Sequence, residues 1–212
     1  MNVAVVGANG QIGKQVIRFL KEDHTPRAIV RKEEQVREFE EAGVNASLVD
    51  LEGTVNEIAE GLKDAEAVIF TAGSGGSTGA DKTLLIDLDG AVKTMEAAKQ
   101  AGIDRFIMVS ALQAHNRENW NESLKPYYVA KHFADRALVQ SGLTYTIIRP
   151  GGLLNEPGSG KVSAGENLSR SSIPREDVAR TIVASLTAKQ TFNKGFDLVS
   201  GDADIQDAIL NV

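Results

Sequence analysis

The feature that most restricts the fold is a glycine turn at the start of the chain. Val3–Val6 form a short apolar run, and Gly7-Ala8-Asn9-Gly10-Gln11-Ile12-Gly13 follows it directly, opening a segment of helical periodicity. Each glycine has a separate physical task in such a strand–turn–helix unit. Gly7 permits the tight turn, Gly10 lets the backbone approach a pyrophosphate, and Gly13 lets the helix pack close to the strand. The helix start presents free N–H groups and the positive end of its dipole to phosphates. Gly7, Asn9, Gly10, Gln11, Ile12 and Gly13 are therefore expected to seat the diphosphate of a dinucleotide.

The rest of the chain repeats the alternation. Strands are expected at Arg27–Arg31, Ala46–Val49, Ala67–Thr71, Arg105–Ser110, Thr144–Arg149 and Gly195–Ser200. Helices are expected at Gln11 to about Lys21, Lys32–Ala42, Val55–Leu62, Lys82–Ala101, Tyr127–Gln140, Arg175–Leu186 and Asp204–Leu210. In Lys82–Ala101 the stripe is Leu85, Leu88, Val92, Met95 and Ala98. The strands are continuously apolar, as strands buried on both faces are. That pattern implies an α/β fold: a doubly wound parallel sheet of Rossmann type with helices on both sides. With 212 residues, one domain is expected over 1–212, residues 151–212 forming a small C-terminal portion beside the substrate. Gly151–Ser172, rich in Gly, Ser and Asn, reads as a lid or a loose loop.

The second strand bears on which dinucleotide is held. A site for NAD usually carries Asp or Glu at that strand's end, on the ribose 2′-hydroxyl. Here Arg31 and Lys32 stand there. A guanidinium suits a 2′-phosphate, so NADP is expected. NAD remains the alternative, with Glu33 or Glu34 in the acidic role. Asp50, beside Leu51 after the third strand, can accept from an adenine amino group. Thr71-Ala72-Gly73, ending the fourth strand, can line a ribose.

Tyr127 and Lys131 form a Y-x-x-x-K pattern on a helix, one turn apart on one face. Pro126 is expected at the first helical position and Ser123 near the cap, so Tyr127 falls in the first turn. Helix dipole and ammonium are expected to lower the phenol toward the working range for proton transfer. Ser110 ends a strand where ligands bind in doubly wound folds, and can hold a carbonyl or alcohol oxygen. Tyr128 is adjacent, but only Tyr127 has the spacing to Lys131.

With Gly7 to Gly13, Ser110 and Tyr127/Lys131 together, the chain resembles the short-chain dehydrogenase/reductase superfamily. Thr146-Ile147-Ile148-Arg149-Pro150-Gly151 and Ile173-Pro174-Arg175-Glu176-Asp177-Val178-Ala179 are similar to its atypical and extended branch, the NAD(P)-dependent epimerase/dehydratase-like and NAD(P)H-binding proteins. The resemblance spans nearly the whole chain. It implies an NAD(P)-dependent oxidoreductase with a catalytic Ser110/Tyr127/Lys131 group, in which Lys131 also holds the nicotinamide ribose. It places Pro150 beside the coenzyme and the following segment beside a small carbonyl or alcohol substrate. Only about sixty residues follow Pro150, fewer than nucleotide-sugar epimerases carry. The branch also holds NmrA-like redox sensors, which are non-catalytic NADP(H)-binding modules, and flavin/biliverdin reductase-like enzymes that need no tyrosine.

Composition enters by exclusion. Lys and Arg total 23 against 29 Asp and Glu, a net charge of −6, so no nucleic-acid partner is expected. Zero cysteines removes disulfides, thiolate nucleophiles and zinc fingers. No metal site is expected, for His24, His115 and His132 are scattered. No membrane partner is expected and the default location is cytoplasm; oligomeric state is open. His115 is close enough to Ser110 to be a candidate pocket residue, and Trp120 is a packing or pocket aromatic. Gly158-Ser159-Gly160-Lys161 lacks the flanking residues of a phosphate-binding loop. Asp87-Leu88-Asp89-Gly90 reads as helix, not as a calcium loop.

Overall fold

The computed structural model describes residues 1–212. Its core is a nine-stranded sheet. Strands β1 (Asn2–Val6), β2 (Thr25–Val30), β3 (Asn45–Leu48), β4 (Ala67–Phe70), β5 (Arg105–Val109) and β6 (Thr144–Pro150) run parallel, as does β10 (Lys194–Ser200) beside β6. Their order is β3-β2-β1-β4-β5-β6-β10, so the winding reverses between β1 and β4. At such a switch point the connections leave on opposite faces and open a crevice above the strand ends.

Helices α1 (Gln11–Leu20), α2 (Glu33–Glu41), α3 (Val55–Gly61), α4 (Ala80–Lys82), α5 (Ala91–Gln100), α6 (Lys125–Gln140), α7 (Arg175–Ser185) and α8 (Ile205–Ile209) cover the sheet. Two separate cores result. Val3 and Val5 of β1 join Ile17, Ile107 and Ile182 on one face; Ala4 and Val6 join Ile58, Phe70, Met95 and Leu138 on the other. Alternate residues of one strand thus feed opposite cores, which is why the strands read as unbroken apolar runs. Phe70, Phe106 and Phe196 are among the largest fully buried side chains, each contributing about 1.5–3 kcal/mol of transfer free energy. No helix is long and apolar enough to cross a membrane.

Three expectations need correction. Gly151–Ser172 is not a loose loop throughout: it holds β7 (Gly152–Leu154), β8 (Lys161–Gly165) and β9 (Ser172–Pro174). β7 pairs with β9, and β8 lies antiparallel between β10 and β11 (Ala203–Asp204). In β8 only Val162 is buried, so its pairing comes from β10 and not from its own pattern. Second, Lys82–Ala101 is not one regular helix. Thr83–Gly90, between α4 and α5, is π-helical, and the wider winding rotates the expected stripe. Leu85 is left 39% exposed while Asp87 turns inward at 2%. Third, α6 begins at Lys125, one residue before Pro126, and Ser123 does not cap it; its hydroxyl donates to Asn121.

Candidate active site

Close backbone approach shapes the glycine turn. Gly7 has φ +82°, and a Cβ there would lie 2.6 Å from Ala72 Cα. A Cβ on Gly13 would lie 2.4 Å from the Gly7 carbonyl oxygen, so the helix seats on the turn only because that atom is missing. Gly10 is the N-cap of α1 and donates its N–H to Gly7 O at 2.9 Å; no side chain caps the helix. The N–H groups of its first turn therefore have no intrahelical partner. Asn9 Oδ1 is buried without a partner.

A cavity of about 280 Å³ opens over this turn. It brings together Gly7, Asn9, Gly10, Arg31, Asp50, Leu51, Thr71, Ala72 and Gly73, from four different strand ends. Gln35 and Ile86 line it too, and the sequence had marked neither. Glu33 and Glu34, the acids weighed for an NAD ribose, do not line it. Thr71 donates its hydroxyl to Val6 O at 3.0 Å, fixing the strand end. Asp50 Oδ1 accepts from Glu52 N at 2.9 Å. Gln11, Ile12 and Gly13 form the helix start outside this lining. Pro150 and Lys131 lie elsewhere; the Pro150 carbonyl accepts from Leu112 N at 2.9 Å. The glycine cradle, the uncapped helix start and the orphaned Asn9 oxygen fit a dinucleotide.

The second group lies at the end of β5. Ser110 is 3% exposed, and its backbone N–H donates to Ile148 O at 2.8 Å. Its hydroxyl is buried with no hydrogen-bond partner. Lys131, 4% exposed, donates to Val109 O at 3.3 Å, beside Ser110. Its Nζ stands 5.7 Å from the centre of the half-buried Tyr127 ring. Lys131 also pairs with Asp87 Oδ1 at 3.1 Å, while Asp87 Oδ2 accepts from Ser74 N at 2.9 Å. Asp87 thus ties α6 to the loop that carries Gly73. Sequence reading missed this role, although an acid inside Leu84-Leu85-Ile86-Asp87-Leu88 was a usable signal.

Burial, with this aspartate in support, overturns one electrostatic expectation. Burial pushes the Tyr127 phenol up; Lys131 opposes the shift, and Asp87 adds to it. The net direction is upward, because the cost of burying a phenolate outweighs the ammonium that was expected to lower the phenol, and Asp87 adds a smaller upward push. Burial alone would push Lys131 down, but Tyr127 and Asp87 outweigh it and hold it above its usual value.

Tyr128 is engaged in packing. Its ring stacks on Trp120 at 5.9 Å, and its hydroxyl accepts from Arg170 Nη1 at 3.0 Å. Trp120 and Arg170, with Gln113, Asn119 and Ser169, line a predominantly polar cavity of about 520 Å³. His115 contacts Asn167 Oδ1 at 3.0 Å and does not line that cavity, and His132 contacts Ala114 O at 2.9 Å. In Gly158–Gly160 the N–H groups already donate to the chain's own Glu176 and Asp177. That segment has no free donors for a phosphate.

Comparison with known proteins agrees with this architecture. A family model described as NAD(P)H-binding matches residues 7–189. The chain is 63% identical over 211 residues to the uncharacterized sugar epimerase YhfK of Bacillus subtilis, covering 99% of both. Among solved structures it is similar to a Bacillus halodurans protein named provisionally an NAD-dependent epimerase/dehydratase, with TM-score 0.94, 40% identity and full coverage of both chains. It is also similar to the oxidoreductase YlbE of Lactococcus lactis, with TM-score 0.91 and 35% identity, covering 100% of this chain and 96% of that one.

Proposed function

The chain belongs to the NAD(P)H-binding family, and from that membership we propose that it is an NADP(H)-dependent reductase of a small, polar carbonyl compound. The observation that carries the proposal is the orphaned Ser110 hydroxyl in the same cluster as Tyr127, Lys131 and Asp87. A buried hydroxyl without a partner costs about 1–3 kcal/mol. A site that keeps one has a use for it, and a substrate oxygen would satisfy it.

The chemistry a nicotinamide coenzyme supplies when bound is hydride transfer. Gly7, Gly10 and the first turn of α1 would hold its diphosphate, and Lys131 would hold its nicotinamide ribose. Arg31, exposed where it lines the cavity, would take a 2′-phosphate; Gln35 lines the same cavity, whereas Glu33 and Glu34 do not. Ser110 donates to the substrate oxygen and orients it. Tyr127 gives its proton to that oxygen as negative charge develops there. A phenol held above its ordinary value keeps this proton at neutral pH, which suits the reducing direction. Lys131 supplies positive charge beside the tyrosinate that remains. The polar cavity lined by Trp120 and Arg170, both of which hold Tyr128 next to Tyr127, supports a hydrophilic substrate over a flat apolar one.

The test is oxidation of NADPH, followed by absorbance, across a panel of small aldehydes, ketones and hydroxyketones. Wild-type protein should turn over at least one of them. Tyr127→Phe should lower kcat about 10²–10⁴-fold with coenzyme affinity unchanged. Saturable NADPH binding with no turnover on any compound would favour a sensor. Full activity in Tyr127→Phe would remove the proton-donor role.

A further inference from the structure

Away from this site, one buried cation lacks part of its complement of partners. Arg149, near the end of β6, is only 8% exposed. Its Nε donates to Asp135 Oδ2 at 2.8 Å, and its two terminal amino groups make no hydrogen bond within the protein. Asp135 Oδ1 is buried without a partner as well, so the pair is joined at one point and not along the guanidinium's two-pronged edge. That edge lies over Gly195 of β10. A Cβ there would stand 2.9 Å and 3.1 Å from the two amino nitrogens, so the missing side chain keeps the fork uncovered.

The fork lines a cavity of about 520 Å³ between β6, β10 and the end of α6. Tyr145, Ile147 and Val139 line it, as does His115, whose buried Nδ1 makes no hydrogen bond and stands 3.9 Å from Asp197 Oδ1. Planar paired donors match a carboxylate, which accepts two parallel bonds. The surrounding charge argues for a single negative charge. Asp135 bonds the Arg149 Nε, Asp197 is the register partner of Arg149 on β10, and Glu166 and Lys194 both line the cavity. A dianion would meet three carboxylates there.

We propose that this cavity binds a small monocarboxylate with an apolar body, its carboxylate on the Arg149 fork and its body against Tyr145 and Val139. The site is separate from the coenzyme cavity. Asn167 lines both it and the polar cavity beside Tyr128, so a ligand here would touch the wall of the substrate side.

The experiment is calorimetric titration of the full chain with benzoate and, separately, inorganic phosphate. Wild-type protein should bind benzoate saturably at one site and phosphate at least tenfold more weakly. Gly195→Ala should cost tenfold or more in benzoate affinity, because its methyl displaces the fork while the Asp135 bond survives. Arg149→Lys should do the same by removing the paired donors. NADPH binding and thermal unfolding of each variant report that it is folded. Should both variants unfold, crystals of wild-type protein with p-bromobenzoate decide, by whether bromine density appears in this cavity. Absence of saturation at tens of millimolar benzoate overturns the site. Unchanged affinity in folded Gly195→Ala, bromine density only elsewhere, or phosphate binding as tight as benzoate overturns it equally.

Discussion

Lys131 and Asp87 form an ion pair at 3.1 Å, with neither residue more than 4% exposed. The two arrive from different elements: Lys131 from α6, Asp87 from the π-helical segment ahead of α5. A buried pair of this kind gains little net stability, but removing one partner strands the other charge in an apolar setting. The pair also sets the field around Tyr127, because the carboxylate offsets the ammonium one helical turn away. Its geometry therefore anchors the Gly73–Ser74 loop and modulates a phenol that burial raises.

Asp87→Asn should be destabilising by roughly 3 kcal/mol, since Lys131 is left charged and buried. For a chain of this size that corresponds to a fall in Tm of roughly 6–12 °C, measurable by calorimetry. The same change removes a negative neighbour of Tyr127, so any high-pH limb governed by that phenol should move to lower pH. A variant as stable as wild type would show that the pair is not formed in solution.

The pH dependence of carbonyl reduction follows from the direction of the Tyr127 shift. In the proposed reduction the acid form is the active one, and its pKa lies above the ordinary value of 10.0. Activity governed by Tyr127 should therefore stay level between about pH 7 and 9 and fall only above 10. Stability has the same sign: a proton held more tightly in the folded state stabilises it below pH 10, and this is lost as pH rises toward the folded value. A tyrosine-dependent fall in kcat/KM centred near pH 8 would contradict the raised phenol.

Ser110→Ala should separate activity from stability. The hydroxyl has no partner, so its removal should leave stability unchanged or raise it by up to about 1 kcal/mol. Turnover should fall at least tenfold, because the substrate oxygen loses its orienting donor. Denaturant unfolding and steady-state kinetics on the same preparation check both halves. A loss of stability would mean that the hydroxyl already has a structural partner, such as an ordered water.

Arg31→Ala tests the choice of coenzyme. A charge-assisted contact to a phosphate is worth about 1.5–3 kcal/mol, so NADPH affinity should fall roughly 10–150-fold while NADH affinity holds. Fluorescence titration with each coenzyme measures the two directly. Equal loss for both would remove the 2′-phosphate from the account.

Much of this architecture was legible in the chain because its signals are local. Gly7, Gly10 and Gly13 declare where backbone must come close to backbone, and a missing Cβ means the same in any context. Runs such as Val3–Val6 and Ala67–Phe70 are apolar throughout because each face feeds its own core. From those two facts came the parallel sheet and the strand ends that line the cavity over the glycine turn. What the chain could not declare depends on partners far away in sequence. β8 is a strand because β10 offers it an edge; Asp87 is a counterion because a π-helical turn aims it at Lys131, 44 residues on. The direction of the Tyr127 shift reversed for the same reason. Helix position and the spacing to Lys131 are properties of sequence, whereas burial and a carboxylate across the fold exist only once the chain has closed around them.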